Sequence, residues 1–201
     1  MSGLFVTFEG GERAGKSTQI AALAERIGAS GHRVVSCREP GGTALGERLR
    51  DALFAGESPG PEAELLIFAS ARAQLVHEVI RPALDGDAVV LCDRFSDSTV
   101  AYQQYGRGLD SSLIAAVNEA ATGGLTPALT VLLDLSPAEA QARGGPKTDY
   151  MEREALAFHE RVRDGYLTQA AAEPQRWLVL DATGSIEHLT DAIWERIASL
   201  L

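Results

Sequence analysis

Short apolar runs rich in Val, Leu and Phe alternate along this chain with longer stretches in which apolar residues recur every three or four positions. The runs fall at residues 4–8, 33–37, 88–92, 129–133 and 177–180. Each is of strand length, and their near-continuous apolarity predicts strands buried on both faces. Between them the periodicity predicts helices over 16–29, 44–53, 61–84, 111–121, 137–142, 150–172 and 186–200. Such alternation is the sequence form of repeated βαβ units, so the expected architecture is α/β, a five-stranded parallel sheet flanked by helices. Ser136, with Pro137 behind it and Glu139 three residues on, reads as a capping box opening a helix. Residues 143–149 form a polar, glycine-containing loop of the kind that acts as a lid, and a lid is expected at about 143–150. With no internal repeat, linker or low-complexity tract, residues 1–201 read as one domain.

Composition narrows the partners. A chain of 201 residues with 45% hydrophobic and 23% charged residues can bury one core. Its net charge of −10 has the wrong sign for holding nucleic acid through phosphates. Only Lys16 and Lys147 are lysines, and the other basic residues are arginines. Guanidinium groups suit bidentate phosphate contacts, although a GC-rich genome produces the same bias. Cys37 and Cys92 lack metal-like spacing and could form at most one disulfide, so a reducing, cytoplasmic setting is expected. The first eight residues carry no basic region of a secretory signal. No run approaches the roughly 20 apolar residues of a membrane span.

The first strand runs into Gly10, Gly11, Glu12, Arg13, Ala14, Gly15, Lys16 and Ser17, a full G-x-x-x-x-G-K-[ST] match, followed by Thr18 and a helix. This is a P-loop, so the fold class is refined to the P-loop NTPase type. Polyphosphate must lie against backbone N–H groups, which side chains at the glycine positions would obstruct. Lys16 would reach the β and γ phosphates, and the Ser17 hydroxyl would ligand Mg²⁺. The third strand ends in Cys92, Asp93 and Arg94, at the edge of the sheet where open α/β folds bind ligands. Asp93 is either a partner of Mg²⁺ or a strand cap, and Arg94 could hold a second phosphate. ATP or GTP binding follows. A regulatory GTPase would need Asn-Lys-x-Asp and a transporter ATPase Leu-Ser-Gly-Gly. Both are absent, leaving a small kinase.

Further blocks then carry a resemblance. They are Phe8-Glu9-Gly10-Gly11-Glu12, Arg38-Glu39-Pro40-Gly41-Gly42-Thr43, Leu66-Ile67-Phe68-Ala69-Ser70-Ala71-Arg72, Asp93-Arg94-Phe95 and Ser98-Thr99-Val100-Ala101-Tyr102-Gln103. In order and spacing, over essentially the whole chain, the sequence resembles the thymidylate kinase family of nucleoside monophosphate kinases. The resemblance implies transfer of the ATP γ-phosphoryl group to dTMP, giving dTDP and ADP, by a homodimer. It implies that Arg94 holds the acceptor phosphate, Phe68 stacks on thymine and Arg72 bonds a base carbonyl. Thr99 and Gln103 would complete the polar contacts to the base edge with Ser98 nearby, and Tyr102 would crowd the sugar 2′ position. From the residues alone, Phe68 reads first as core packing, Tyr102 also as a core tyrosine with its hydroxyl at the rim, and Glu39-Pro40 as either a plain turn or a bend aiming a carboxylate at the acceptor. Arg72, four residues after Phe68, shares its helical face.

The resemblance also implies a division of labour. Members with an arginine inside the P-loop tend to lack basic residues in the lid, and Arg13 places this chain with them. Arg13 would stabilise charge on the transferring phosphoryl group. Glu12 would face Arg13, a metal-bound water or the sugar 3′-hydroxyl. At the lid's end, family members commonly read Asp-Arg-hydrophobic-Glu, whereas this chain reads Asp149-Tyr150-Met151-Glu152. Any lid cation must then be Arg143, Lys147 or Arg153, with Arg143 a candidate to cover adenine. The rival readings are a kinase of another nucleoside monophosphate or of a deoxynucleoside, and an ATP-dependent switch without enzymatic activity.

Overall fold

The computed structural model describes residues 3–55, 58–145 and 150–201. Lys147 and Asp149, and with them most of the expected lid, lie outside the described residues. Five parallel strands, β1 (Leu4–Glu9), β2 (Val34–Arg38), β3 (Val89–Asp93), β4 (Leu129–Asp134) and β5 (Trp177–Asp181), form one sheet in the order β2-β3-β1-β4-β5. The P-loop strand β1 is central, with Val6 in register with Leu91 on one side and Leu129 on the other. The three inner strands are buried nearly throughout. The edge strands β2 and β5 are only half buried, which corrects the expectation that all five are covered on both faces. Each has a strand on one side only, and its alternate residues reach solvent.

Helices α1 (Lys16–Ala29), α2 (Ala44–Phe54), α3 (Pro61–Leu75), α4 (Arg81–Asp85), α5 (Ser96–Thr99), α6 (Ser111–Thr122), α7 (Pro137–Ala142), α8 (Leu156–Ala172) and α9 (Ile186–Ala198) surround the sheet. Strand side chains alternate between its faces. Val6, Phe8, Leu91 and Val131 pack against Leu23 and Ile27 of α1 and Ile193 and Ile197 of α9. Phe5, Val90 and Cys92 meet Leu75, Val76 and Ile80 on the opposite side. A third cluster joins Tyr102 to Phe158, Val162 and Tyr166 of α8. The expected capping box at α7 is present, Ser136 Oγ accepting from Glu139 N and the Glu139 carboxylate accepting from Ser136 N.

Two helix boundaries depart from the periodicity. The helix expected over 150–172 begins only at Leu156, because Met151, which supplied its first apolar position, is buried against the third cluster instead. The helix over 61–84 is continuous but π-helical at Val76–Ile80. Residues 96–106, where no helix is expected, form α5 and a π-helical continuation at Val100–Gly106. The Ser, Thr, Val and Tyr residues there are modest helix formers, and burial of Ala101 and Tyr102 stabilises the segment where propensity does not.

Candidate active site

The loop between β1 and α1 is shaped by two glycines. A Cβ at Gly10 would stand 2.4 Å from the Leu133 carbonyl, and Gly15, with φ of 96°, is a left-handed N-cap for α1. Both choices leave backbone N–H groups bare toward the loop's concave side. Lys16 is buried, and its Nζ donates to the carbonyls of Gly10 at 3.2 Å and Gly11 at 3.0 Å. Burial, aided by Arg94, pushes the Lys16 ammonium below its usual range, against the pull of Asp93, Glu12 and Glu9. Ser17 and Thr18 follow on α1 with exposed side chains. Ser17 and Asp93 line one recess together, and Asp93 Oδ1 is buried without a hydrogen-bond partner among the described residues.

Arg94 closes the far side of the loop. Its backbone is left-handed, φ 69°, a conformation costly for a non-glycine residue, and β3 delivers it there through a hydrogen bond from its N–H to Phe8 O. Arg94 Nη2 donates to Glu12 Oε1 at 2.6 Å. Nη1 is shared among the Gly10 carbonyl, Ser98 Oγ and the Tyr166 hydroxyl at 3.0, 3.4 and 3.1 Å. These contacts use neither the Nε–H nor the second Nη2 hydrogen, so donors remain for an anion.

Glu12 meets a partner that the sequence did not offer. Among the three candidates it was expected to face, Arg13 is replaced by Arg94 and by the Tyr102 hydroxyl, which donates to Glu12 Oε1 at 3.1 Å. Burial alone would raise the Glu12 carboxyl, but Arg94 and Lys16 outweigh it and hold the group at about 2, so it is ionised. Burial raises the Tyr102 hydroxyl, keeping it a neutral donor. Arg13, also left-handed at φ 59°, turns the other way, to the Gly145 carbonyl at 3.2 Å and Glu152 at 3.6 Å. Arg143 ties the same region down, donating to Arg13 O at 2.8 Å and Ala182 O at 2.6 Å.

A cleft next to the P-loop is lined by Glu39, Pro40, Phe68, Arg72, Arg94, Ser98, Thr99, Tyr102 and Gln103. Thus every residue expected on the acceptor side comes to one wall or another of a single cleft, and Glu12 joins them. The peptide between Glu39 and Pro40 is cis. Phe68 is half buried, touching the third cluster on one side and the cleft on the other. Arg72 is only 1% exposed, and its guanidinium makes four hydrogen bonds and an ion pair among the described residues. Nε and Nη2 meet Glu39 Oε2 at 2.8 and 2.7 Å, Nη1 meets Thr99 and Asn118, and Nη2 also meets Phe95 O. To bond a base carbonyl, Arg72 would use the Nη2 hydrogen outside these four bonds or share one of the others. Arg72→Lys keeps a cation beside Glu39 but loses the planar fork. We expect it to cost about 2 kcal/mol in denaturant unfolding and to raise KM for dTMP with KM for ATP unmoved. An unchanged KM for dTMP would remove Arg72 from base recognition.

Sequence reasoning assigned no role to Glu9 and Tyr166. Glu9 is completely buried, accepting from Phe95 N at 2.8 Å, Ser98 Oγ at 2.5 Å and the Tyr166 hydroxyl at 3.0 Å. Burial, with Asp97 adding to it, pushes its carboxyl up to about 7. A charged residue ending an otherwise apolar strand was the available signal for Glu9. Tyr166 gave none, since it sits on α8, 68 residues from Ser98 and 157 from Glu9.

Loop, helix N-terminus, lysine, terminal aspartate of β3 and the arginine after it together define a P-loop phosphoryl-transfer protein with an adjoining cleft. Comparison with known proteins narrows the class. The profile of the thymidylate kinase family matches residues 8–193. The thymidylate kinase of Deinococcus radiodurans is 51% identical over 201 residues, covering 98% of this chain and 97% of that protein. That of Synechococcus sp. (strain JA-3-3Ab) is 53% identical over 191 residues, covering 95% and 93%. The crystal structure of thymidylate kinase from Ehrlichia chaffeensis superposes with a TM-score of 0.80 at 33% identity, covering 98% of this chain and all of that one. The chain belongs to the thymidylate kinase family.

Proposed function

We propose that this protein transfers the γ-phosphoryl group of ATP to the 5′-phosphate of dTMP, forming dTDP and ADP. The observation that carries the reading is the placement of Arg94: it stands against Gly10 of the P-loop with unspent donors, at the mouth of a cleft lined by Phe68, Arg72 and Thr99. The donor phosphates would lie along residues 10–18, with Lys16 leaving its carbonyl partners for the β and γ oxygens. Arg94 would draw the acceptor phosphate to the same place. The reaction brings two polyanions into line, so the chain's work is positioning and charge neutralisation. A general base is unnecessary, because the acceptor phosphate, with a second pKa of about 6, is already ionised near neutral pH. Glu12 would keep phosphate off its own position by repulsion and orient Arg94. Arg13 would turn to the transferring group, and Arg143 would cover the adenine.

The pairing of an orphaned Asp93 oxygen with the Ser17 hydroxyl in one recess fits Mg²⁺, a hard cation that takes oxygen ligands. When bound it would neutralise charge between the β and γ phosphates. We further propose a homodimer, supported by Leu66 of α3 and Leu113 of α6, apolar side chains left exposed on neighbouring helices. A cytoplasmic setting is supported by Cys37 and Cys92, which stand opposite one another on β2 and β3 as free thiols. No helix among the described residues is long and apolar enough to cross a membrane.

A panel of acceptors assayed by ADP release with ATP and Mg²⁺ tests the reading. We expect dTMP to be used in preference to other monophosphates and thymidine not at all. Phosphorylation of thymidine would make the protein a deoxynucleoside kinase, and ATP binding with no acceptor turnover would make it a switch.

A further inference from the structure

One polar wall of the acceptor cleft is oriented from outside the cleft. Gln103 is 2% exposed, lies beside Phe68 and Thr99, and its Nε2 donates to Glu64 Oε1 at 2.8 Å. Glu64 projects from α3 into the interior, is wholly buried and is not itself a cleft residue. It accepts from Arg107 Nε at 3.2 Å, from Arg107 Nη2 at 3.0 Å and from the Tyr150 hydroxyl at 2.8 Å. Glu154 grips Arg107 from its other side.

A carboxylate forked by a guanidinium, as Glu64 is by Arg107, meets its partners as an acceptor of hydrogen bonds. The Gln103 amide must therefore turn its nitrogen toward Glu64. The flipped amide would set oxygen against oxygen in a buried place, at full desolvation cost. This leaves Gln103 Oε1 as the end without a hydrogen-bond donor among the described residues. An acceptor at the rim of a pyrimidine cleft discriminates by the protonation of the ring nitrogen. Thymine and uracil carry an N–H at N3, whereas cytosine presents a lone pair there.

Resting on the reading of this cleft as the dTMP site, we propose that Glu64 is a positioning residue that selects the base. It holds Gln103 with its oxygen toward the cleft, which favours a pyrimidine bearing a ring N–H and rejects cytosine. Tyr150 and Arg107 are the donors that hold Glu64 in turn. Tyr150 ties the chain beyond residue 149 to this network and packs on Phe54, another cleft residue, with ring centroids 5.9 Å apart.

Glu64→Gln is nearly isosteric and supplies an amide that can meet either end of Gln103. The measurement is kcat/KM for dTMP and dCMP, with thermal unfolding as a control. We expect the ratio of dTMP to dCMP use to fall about tenfold, the worth of one hydrogen bond of roughly 1.4 kcal/mol. The change should fall on KM for the acceptor, with KM for ATP unmoved. Tyr150→Phe, which removes one of Glu64's donors and leaves the ring, should shift the ratio the same way by a smaller factor. It decides the matter if Glu64→Gln does not fold. A folded variant with an unchanged ratio overturns the inference and leaves the kinase reading intact. Wild-type protein that fails to phosphorylate dTMP overturns the kinase reading itself, and the role of Glu64 with it.

Discussion

Replacing Arg94 by alanine should lower kcat/KM for dTMP by about 10³-fold, the scale seen when a preorganised donor to a reacting anion is lost. The expectation rests on what the guanidinium touches. It joins the P-loop carbonyl of Gly10, the Glu12 carboxylate and the Ser98–Tyr166 pair, and holds donors in reserve. Removing it also leaves Glu12 beside the site without its principal counter-charge, so donor phosphates should bind more weakly. Arg94→Lys separates charge from geometry: a lysine keeps the cation but cannot serve Glu12, Gly10 and a phosphate together. It should recover less than a tenth of the lost activity by our estimate. Steady-state kinetics with dTMP varied decides the case, and an Arg94→Ala enzyme within tenfold of wild type would mean that the acceptor phosphate is held elsewhere.

The second large effect belongs to Arg13. Alanine there should reduce kcat by about 10³-fold, in line with the lower range for arginines that stabilise a transferring phosphoryl group, and should change KM for dTMP by no more than a few-fold. An interaction made only in the transition state is lost from kcat and kcat/KM alike. Arg13 rises from the P-loop with a left-handed backbone, and among its contacts are Gly145 O at 3.2 Å and Glu152 at 3.6 Å. Arg143, by contrast, is committed to two backbone carbonyls at 2.8 and 2.6 Å, and Arg153 is exposed. Arg143→Ala should accordingly act mainly on KM for ATP. If Arg143→Ala cost more in kcat than Arg13→Ala, the essential cation would lie in the lid region rather than in the P-loop.

Much of this protein could be read before any coordinates. The parallel sheet follows from apolar runs of strand length separated by helical periods, because a strand covered on both faces excludes polar residues from either. The P-loop is equally local: its glycines, lysine and serine act within eight consecutive residues, so spacing alone carries the chemistry. The acceptor residues were legible as blocks, since each lies on a single turn or helix.

What the linear order could not supply is how those blocks face one another. Glu12 was visible as a carboxylate in the loop, yet its partner comes from the end of β3, 82 residues away. Arg72 was placed on the helical face of Phe68, but its engagement by Glu39, Phe95, Thr99 and Asn118 depends on three other segments converging on α3. Glu64 and Tyr166 carry no local pattern, and Glu9 only that of a charge ending an apolar strand, because a buried polar group is defined by its partners, and those partners meet only when the helices dock on the sheet. The sequence by itself thus determined the five strands, the helices other than the segment 96–106, the phosphate-binding loop and the family. Only the tertiary structure decided which charges pair, because pairing at 3 Å depends on packing between elements, to which periodicity within an element is blind.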